Sequence, residues 1–126
     1  MSLENIKERI KDLYNYNFNK IEVFQMIENY PYILEMSNQR IHNKYQLLQE
    51  LDFSKDDCNE LIIKKPEILN KDLQSIRRRM EYLKEYGYES QDIVTIIREI
   101  PELIDMNLNT LNKKLEEYKE FGFTKE

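Results

Sequence analysis

Two glycines and three prolines in 126 residues leave little material for a sheet built on tight turns. No segment sustains the apolar–polar alternation of a half-buried strand. A single cysteine excludes an internal disulfide. A single histidine, His42, leaves no partner for a histidine-based metal site. No stretch approaches the roughly 20 apolar residues that a membrane-spanning helix needs. The first residues mix Glu4, Glu8 and Asp12 with basic side chains and hold no apolar run, unlike a secretory or organellar leader. Neither a glycine-rich phosphate loop nor a Gly-x-Ser-x-Gly elbow is present. These absences lead us to expect a soluble, cytoplasmic, non-enzymatic protein with no membrane partner, no catalytic residue, no cofactor and no metal.

What the chain does contain is a repeat. Pro31-Tyr32-Ile33-Leu34, Pro66-Glu67-Ile68-Leu69 and Pro101-Glu102-Leu103-Ile104 follow one another at an interval of 35 residues. Phe18, Phe53, Tyr88 and Phe123 keep the same interval, and so do Ile6, Ile41, Ile76 and Leu111. Ile10, Tyr45, Met80 and Leu115 form a further row, Leu13, Leu48, Leu83 and Tyr118 another, and Tyr16, Leu51, Tyr86 and Phe121 the last. Just before each aromatic stands Asn17, Asp52, Gly87 or Gly122, residue types that tolerate the left-handed backbone closing a helix. A fixed period in this range is the mark of stacked helical units rather than of a fold with one unique centre. The expected fold is all-α, a short α-solenoid of about three and a half 35-residue repeats in a single domain over residues 1–126. Its parts are a half unit (1–16), units 17–51, 52–86 and 87–121, and the start of a further unit (122–126).

Each unit reads as two helices and a connector. The helix before the closing residue carries apolar side chains at 73, 76, 80, 83 and 86, whose steps of three and four place them on one face. Ser37, Asp72 and Asn107 stand at the N-cap of this helix. The other helix opens on Ser54-Lys-Asp-Asp57, a capping box, and on Asn19-Lys-Ile-Glu22, a weaker one. Glu89 breaks that pattern, so the third copy is expected to begin one residue later, at Ser90. Each proline stops the helix before it and suits the first turn of a short third helical segment. Ends that begin and stop mid-unit would leave apolar surface, and a homodimer is one expected way of covering it.

Chemistry-bearing residues mostly dissolve into this pattern. The counterparts of His42 are Lys7, Arg77 and Asn112, all polar, which places it on a solvated face. Cys58 aligns with Val23 and Ile93 and reads as a small core residue. Asp56 and Asp57 suit a first helical turn. Tyr14, Tyr30 and Tyr32 follow the rows less well; they read either as edges of the first unit or as a platform for bases or a partner protein.

One polar row recurs. Arg9, Lys44, Arg79 and Lys114 are each 35 apart, widened by Arg77, Arg78 and Lys113. Helices packed ~8–10 Å apart would let such a row meet successive phosphates. The competing reading is intramolecular pairing with a second row, Glu50, Glu85 and Glu120. The net charge is −5, and residues 87–121 hold four basic and eight acidic side chains. A curved acidic surface that docks a basic partner protein, as adaptor or inhibitor, is therefore the alternative to nucleic-acid binding.

The copy running from Phe53-Ser54 through Pro66-Glu67-Ile68-Leu69 and Leu83 to Gly87-Tyr88 resembles the repeats of the mitochondrial transcription termination factor family, and the third copy resembles them nearly as well. The first departs at Asn17 and Tyr32. The resemblance implies a solenoid of three-helix units whose basic surface binds duplex DNA or structured RNA in transcription or RNA control. On this sequence it carries over to Arg9, Lys44, Arg77, Arg78, Arg79, Lys113 and Lys114 as phosphate contacts.

Overall fold

The computed structural model describes residues 2–120, with the side chains of 118–120 excepted. Among them are seven α-helices and three short 3₁₀ segments, with no strand. The chain divides into two compact units, Met1–Lys71 and Asp72–Glu126. The first contains α1 (Leu3–Tyr14), α2 (Lys20–Asn29), the segment Pro31–Glu35, α3 (Asn38–Glu50), α4 (Lys55–Lys64) and the segment Pro66–Asn70. The second contains α5 (Leu73–Tyr86), α6 (Ser90–Glu99), the segment Pro101–Ile104 and α7 (Leu108–Glu120).

Local chemistry sets these boundaries. Asn17, Asp52 and Gly87 take φ of 71°, 75° and 120°, the left-handed turn expected of the closing residue. After α3, the Phe53 amide reaches back to the Leu48 carbonyl at 3.1 Å and the Asp52 amide to Gln49 at 3.0 Å. Tyr88 repeats the first bond to Leu83 at 3.2 Å, and Gly87 the second to Lys84 at 3.1 Å. This double closure is the Schellman motif, in which the residue after the left-handed one packs on the last helical turn. It explains why an aromatic residue returns beside a leucine row: Phe53 and Tyr88 are buried, as are Leu48 and Leu83. Gly122 and Phe123 lie outside the described residues.

Helix starts follow the caps. Asn19 and Ser54 both form complete capping boxes, with Glu22 and Asp57 answering from the third helical residue. The Asn19 box is therefore as complete as the Ser54 one. Ser37, Asp72 and Asn107 each accept a backbone N–H of the first turn. The third copy begins at Ser90, as expected, but this is no shift of the cap, since α2 and α4 likewise begin one residue after Asn19 and Ser54. Glu89 occupies the N-cap with an extended backbone, its carbonyl accepts the Ile93 amide at 2.9 Å, and its side chain makes no cap bond to the helix. The closure at Gly87-Tyr88 fixes where the next helix begins, whatever residue stands at 89.

The short helices end at Asn29, Lys64 and Glu99, two residues before each proline, and Pro31, Pro66 and Pro101 open the 3₁₀ segments. Packing then repeats as a triplet. Helix α1 packs on α2 and on Pro31–Glu35, α3 on α4 and on Pro66–Asn70, and α5 on α6 and on Pro101–Ile104. The rows become core: Ile41, Ile76 and Leu111 are buried, as are Ile33, Ile68 and Leu103 behind the prolines, and Val23, Cys58 and Ile93 in the short helices. Full burial of one such side chain contributes about 1.5–3 kcal/mol. In the first row Ile6 stays half-buried.

Candidate nucleic-acid interface

The cationic row has a role inside the fold. On α3, the Lys44 ammonium donates to the carbonyl of Lys71 at 2.6 Å. On α5, the Arg79 guanidinium donates to the carbonyl of Met106. Both acceptors are 27 residues ahead, just past the ends of Pro66–Asn70 and Pro101–Ile104, where main-chain carbonyls have lost their helical donors. A positive charge there also meets the negative end of the segment's dipole. At these two positions the recurring charge meets the same kind of orphan carbonyl. The two ends of the row bond differently. Arg9 pairs with Asp12 within α1 at 2.6 Å, and Lys114 lies 3.7 Å from Glu117 within α7. The expected pairing with Glu50 and Glu85 is not made: among the described residues neither carboxylate joins an ion pair, and both are exposed. The carbonyls lie within reach of the half-buried Lys44 and Arg79, whereas an exposed carboxylate keeps its hydration instead. The Glu120 side chain lies outside the described residues.

The widening residues differ from the row itself. Arg77 and Arg78 on α5 and Lys113 on α7 are exposed, and among the described residues none of them makes a hydrogen bond or an ion pair. Helices α5 and α7 are joined side by side. The Tyr82 hydroxyl donates to Asn112 at 3.3 Å, and the Tyr86 hydroxyl donates to the Glu116 carboxylate. That last bond, with a smaller effect of burial, pushes the Tyr86 phenol up to about 12, so it remains a donor at neutral pH. Arg78 and Lys113 hold the same register position on these two helices. The unit Asp72–Glu126 thus gathers Arg77, Arg78, Arg79, Lys113 and Lys114, while Arg9 and Lys44 belong to Met1–Lys71.

Tyrosines sort by surroundings. Tyr45 is buried, stacks on Tyr16 with ring centres 4.6 Å apart, and donates its hydroxyl to Asn59. Asn59 in turn donates to the Tyr16 carbonyl at 2.8 Å. Burial raises both phenols, Asp12 adding to the shift of Tyr16. Tyr14 and Tyr32 are exposed and Tyr30 half-buried. His42 is exposed, and Cys58 is fully buried. Among the described residues no group of three His, Cys, Asp or Glu side chains could hold a metal ion, and no helix is long and apolar enough to cross a membrane.

The sequence profile of the mTERF family matches residues 1–126. The chain belongs to the mTERF family. Helical repeats are that family's fold, and the recurrence of one packing triplet at 35-residue intervals is how this mTERF-family chain realises it. No curated protein matches the chain.

Sequence reasoning missed Arg40 and Asn70 beside Tyr30. The Arg40 guanidinium donates to the Asn70 side-chain oxygen, and the Asn70 amide donates to the Tyr30 hydroxyl at 3.1 Å. The counterparts of Arg40 are Asn5, Ser75 and Thr110, so a search for recurring charge passes over it.

Proposed function

We propose that the chain binds duplex nucleic acid, DNA or structured RNA, through Arg77 and Arg78 of α5 and Lys113 of α7, in transcription or RNA control. The observation that carries this reading is that three neighbouring cations stand exposed with no counter-ion among the described residues, in a member of a family of nucleic-acid-binding helical repeats. A guanidinium left in water on a helix surface is ready to take a phosphate in a charge-assisted, bidentate pair. Lys114, held among the described residues by the exposed Glu117 carboxylate, can change partner as a phosphate approaches. Arg79, on the same helix as Arg77 and Arg78, is held by the Met106 carbonyl and adds positive potential to that surface.

The test is the double variant Arg77→Glu/Arg78→Glu. Duplex affinity measured by fluorescence anisotropy at low salt should fall at least about tenfold, while helical content by circular dichroism stays unchanged. Wild-type protein that binds no duplex under these conditions would refute the reading. Binding of a basic peptide in its place would favour a protein partner docked on the acid-rich stretch 87–121.

A further inference from the structure

The first proline segment departs from the other two. Where they carry Glu67 and Glu102 after the proline, it carries Tyr32; where they carry Lys65 and Ile100 before it, it carries Tyr30. Both tyrosines line an open concavity of about 390 Å³ together with Glu35, Met36, Arg40 and Asn70. The two ring centres are 5.8 Å apart and the rings are inclined at 58°. Tyr30 is fastened by the Asn70 amide, and Asn70 by Arg40, so one wall is fixed. The Tyr32 ring is 66% exposed and makes no hydrogen bond among the described residues. The fold has no evident use for it: burial does not hold it, and its counterparts are glutamates.

We infer that this concavity takes one unpaired nucleobase, stacked on Tyr32, which gives the protein a single-strand subsite in addition to the proposed duplex surface. The inference rests on the nucleic-acid reading above. Three features select a base over other occupants. A bare aromatic face offers sequence-tolerant stacking. The rim presents guanidinium and amide donors from Arg40 and Asn70, and an acceptor carboxylate from Glu35. That mixture suits the edge of a heteroaromatic ring, and the Glu35 carboxylate disfavours a phosphate in the concavity itself. Lys44, one turn beyond Arg40 on α3 and bonded to the Lys71 carbonyl, adds positive potential near the concavity. The volume falls in the range of pockets that hold small planar ligands.

The experiment compares wild type, Tyr32→Ala and Tyr32→Phe by anisotropy with fluorescein-labelled 12-nucleotide single strands, an abasic strand of equal length, and the matching duplex. The expected result is about tenfold weaker single-strand binding for Tyr32→Ala, near wild-type binding for Tyr32→Phe, and duplex affinity equal in all three. Wild type should bind the abasic strand as weakly as Tyr32→Ala binds the normal one. The exposure of Tyr32 makes Tyr32→Ala safe for the fold, and circular dichroism checks it. Equal single-strand affinity of wild type and Tyr32→Ala overturns the inference and leaves the duplex reading intact. Tyr32-dependent single-strand binding without duplex binding supports the inference and sinks the α5–α7 surface. No binding to either form sinks both. Tyr32-dependent binding of a poly-lysine peptide with no single-strand binding overturns the inference in favour of a protein site.

Discussion

Cys58 shows how far one residue's surroundings decide its chemistry. Its row with Val23 and Ile93 places it in the core, and its side chain is fully buried. Burial, with Asp57 adding a smaller push, raises the thiol from 9.0 to about 12. The thiol is therefore un-ionised and unreactive at neutral pH. Because the folded value lies above the unfolded one, this group's contribution is complete below pH 9. It is lost as the pH rises from about 9 towards 12, since only the unfolded chain releases the proton in that window. Urea unfolding should show on the order of 1 kcal/mol less stability at pH 10 than at pH 8 from this residue. Cys58→Val, which copies the counterpart at position 23, should remove that part of the loss. At the same scale, Gly87 answers to backbone alone. A Cβ there would meet no atom within 4 Å, so only its φ of 120° requires glycine.

Among the elements, the 3₁₀ segments give the basic row its meaning. The charge at 44, 79 and 114 was legible in the sequence, but its acceptor was not, because a main-chain carbonyl has no signature in the sequence. Arg79→Leu leaves the Met106 carbonyl without its donor and should cost about 1–2 kcal/mol in chemical unfolding, with Lys44→Leu costing a similar amount. Arg77→Leu, on an exposed site of the same helix, should change stability by less than about 0.5 kcal/mol. Equal losses in all three variants would show that these carbonyl bonds do not distinguish row from neighbours. The helix starts teach a related lesson. The caps at Ser37, Ser54, Asp72 and Asn107 could be read from residue type, whereas α6 keeps its register with Glu89 at the cap because the preceding closure sets it.

For the whole molecule, a net charge of −5 opposes the approach of a polyanion, so affinity must come from a few local contacts. If Arg77, Arg78 and Lys113 make those contacts, log K for a duplex should fall against log salt with a slope of about −3. Participation of all seven candidate cations would steepen it to about −6. A slope near zero would exclude phosphate binding as the source of affinity. The slope thus separates charges that face solvent from charges held by the fold.

The sequence by itself determined the helical class, the 35-residue period, the left-handed closing residues and nearly every buried row, because periodicity and backbone preference act locally and leave their mark in residue type. Tertiary structure decided which cations are engaged and which are exposed, since that depends on carbonyls 27 residues away. It also brought Arg40 and Asn70 to Tyr30 and Tyr32, a grouping of residues from two proline segments and a helix that no spacing rule encodes.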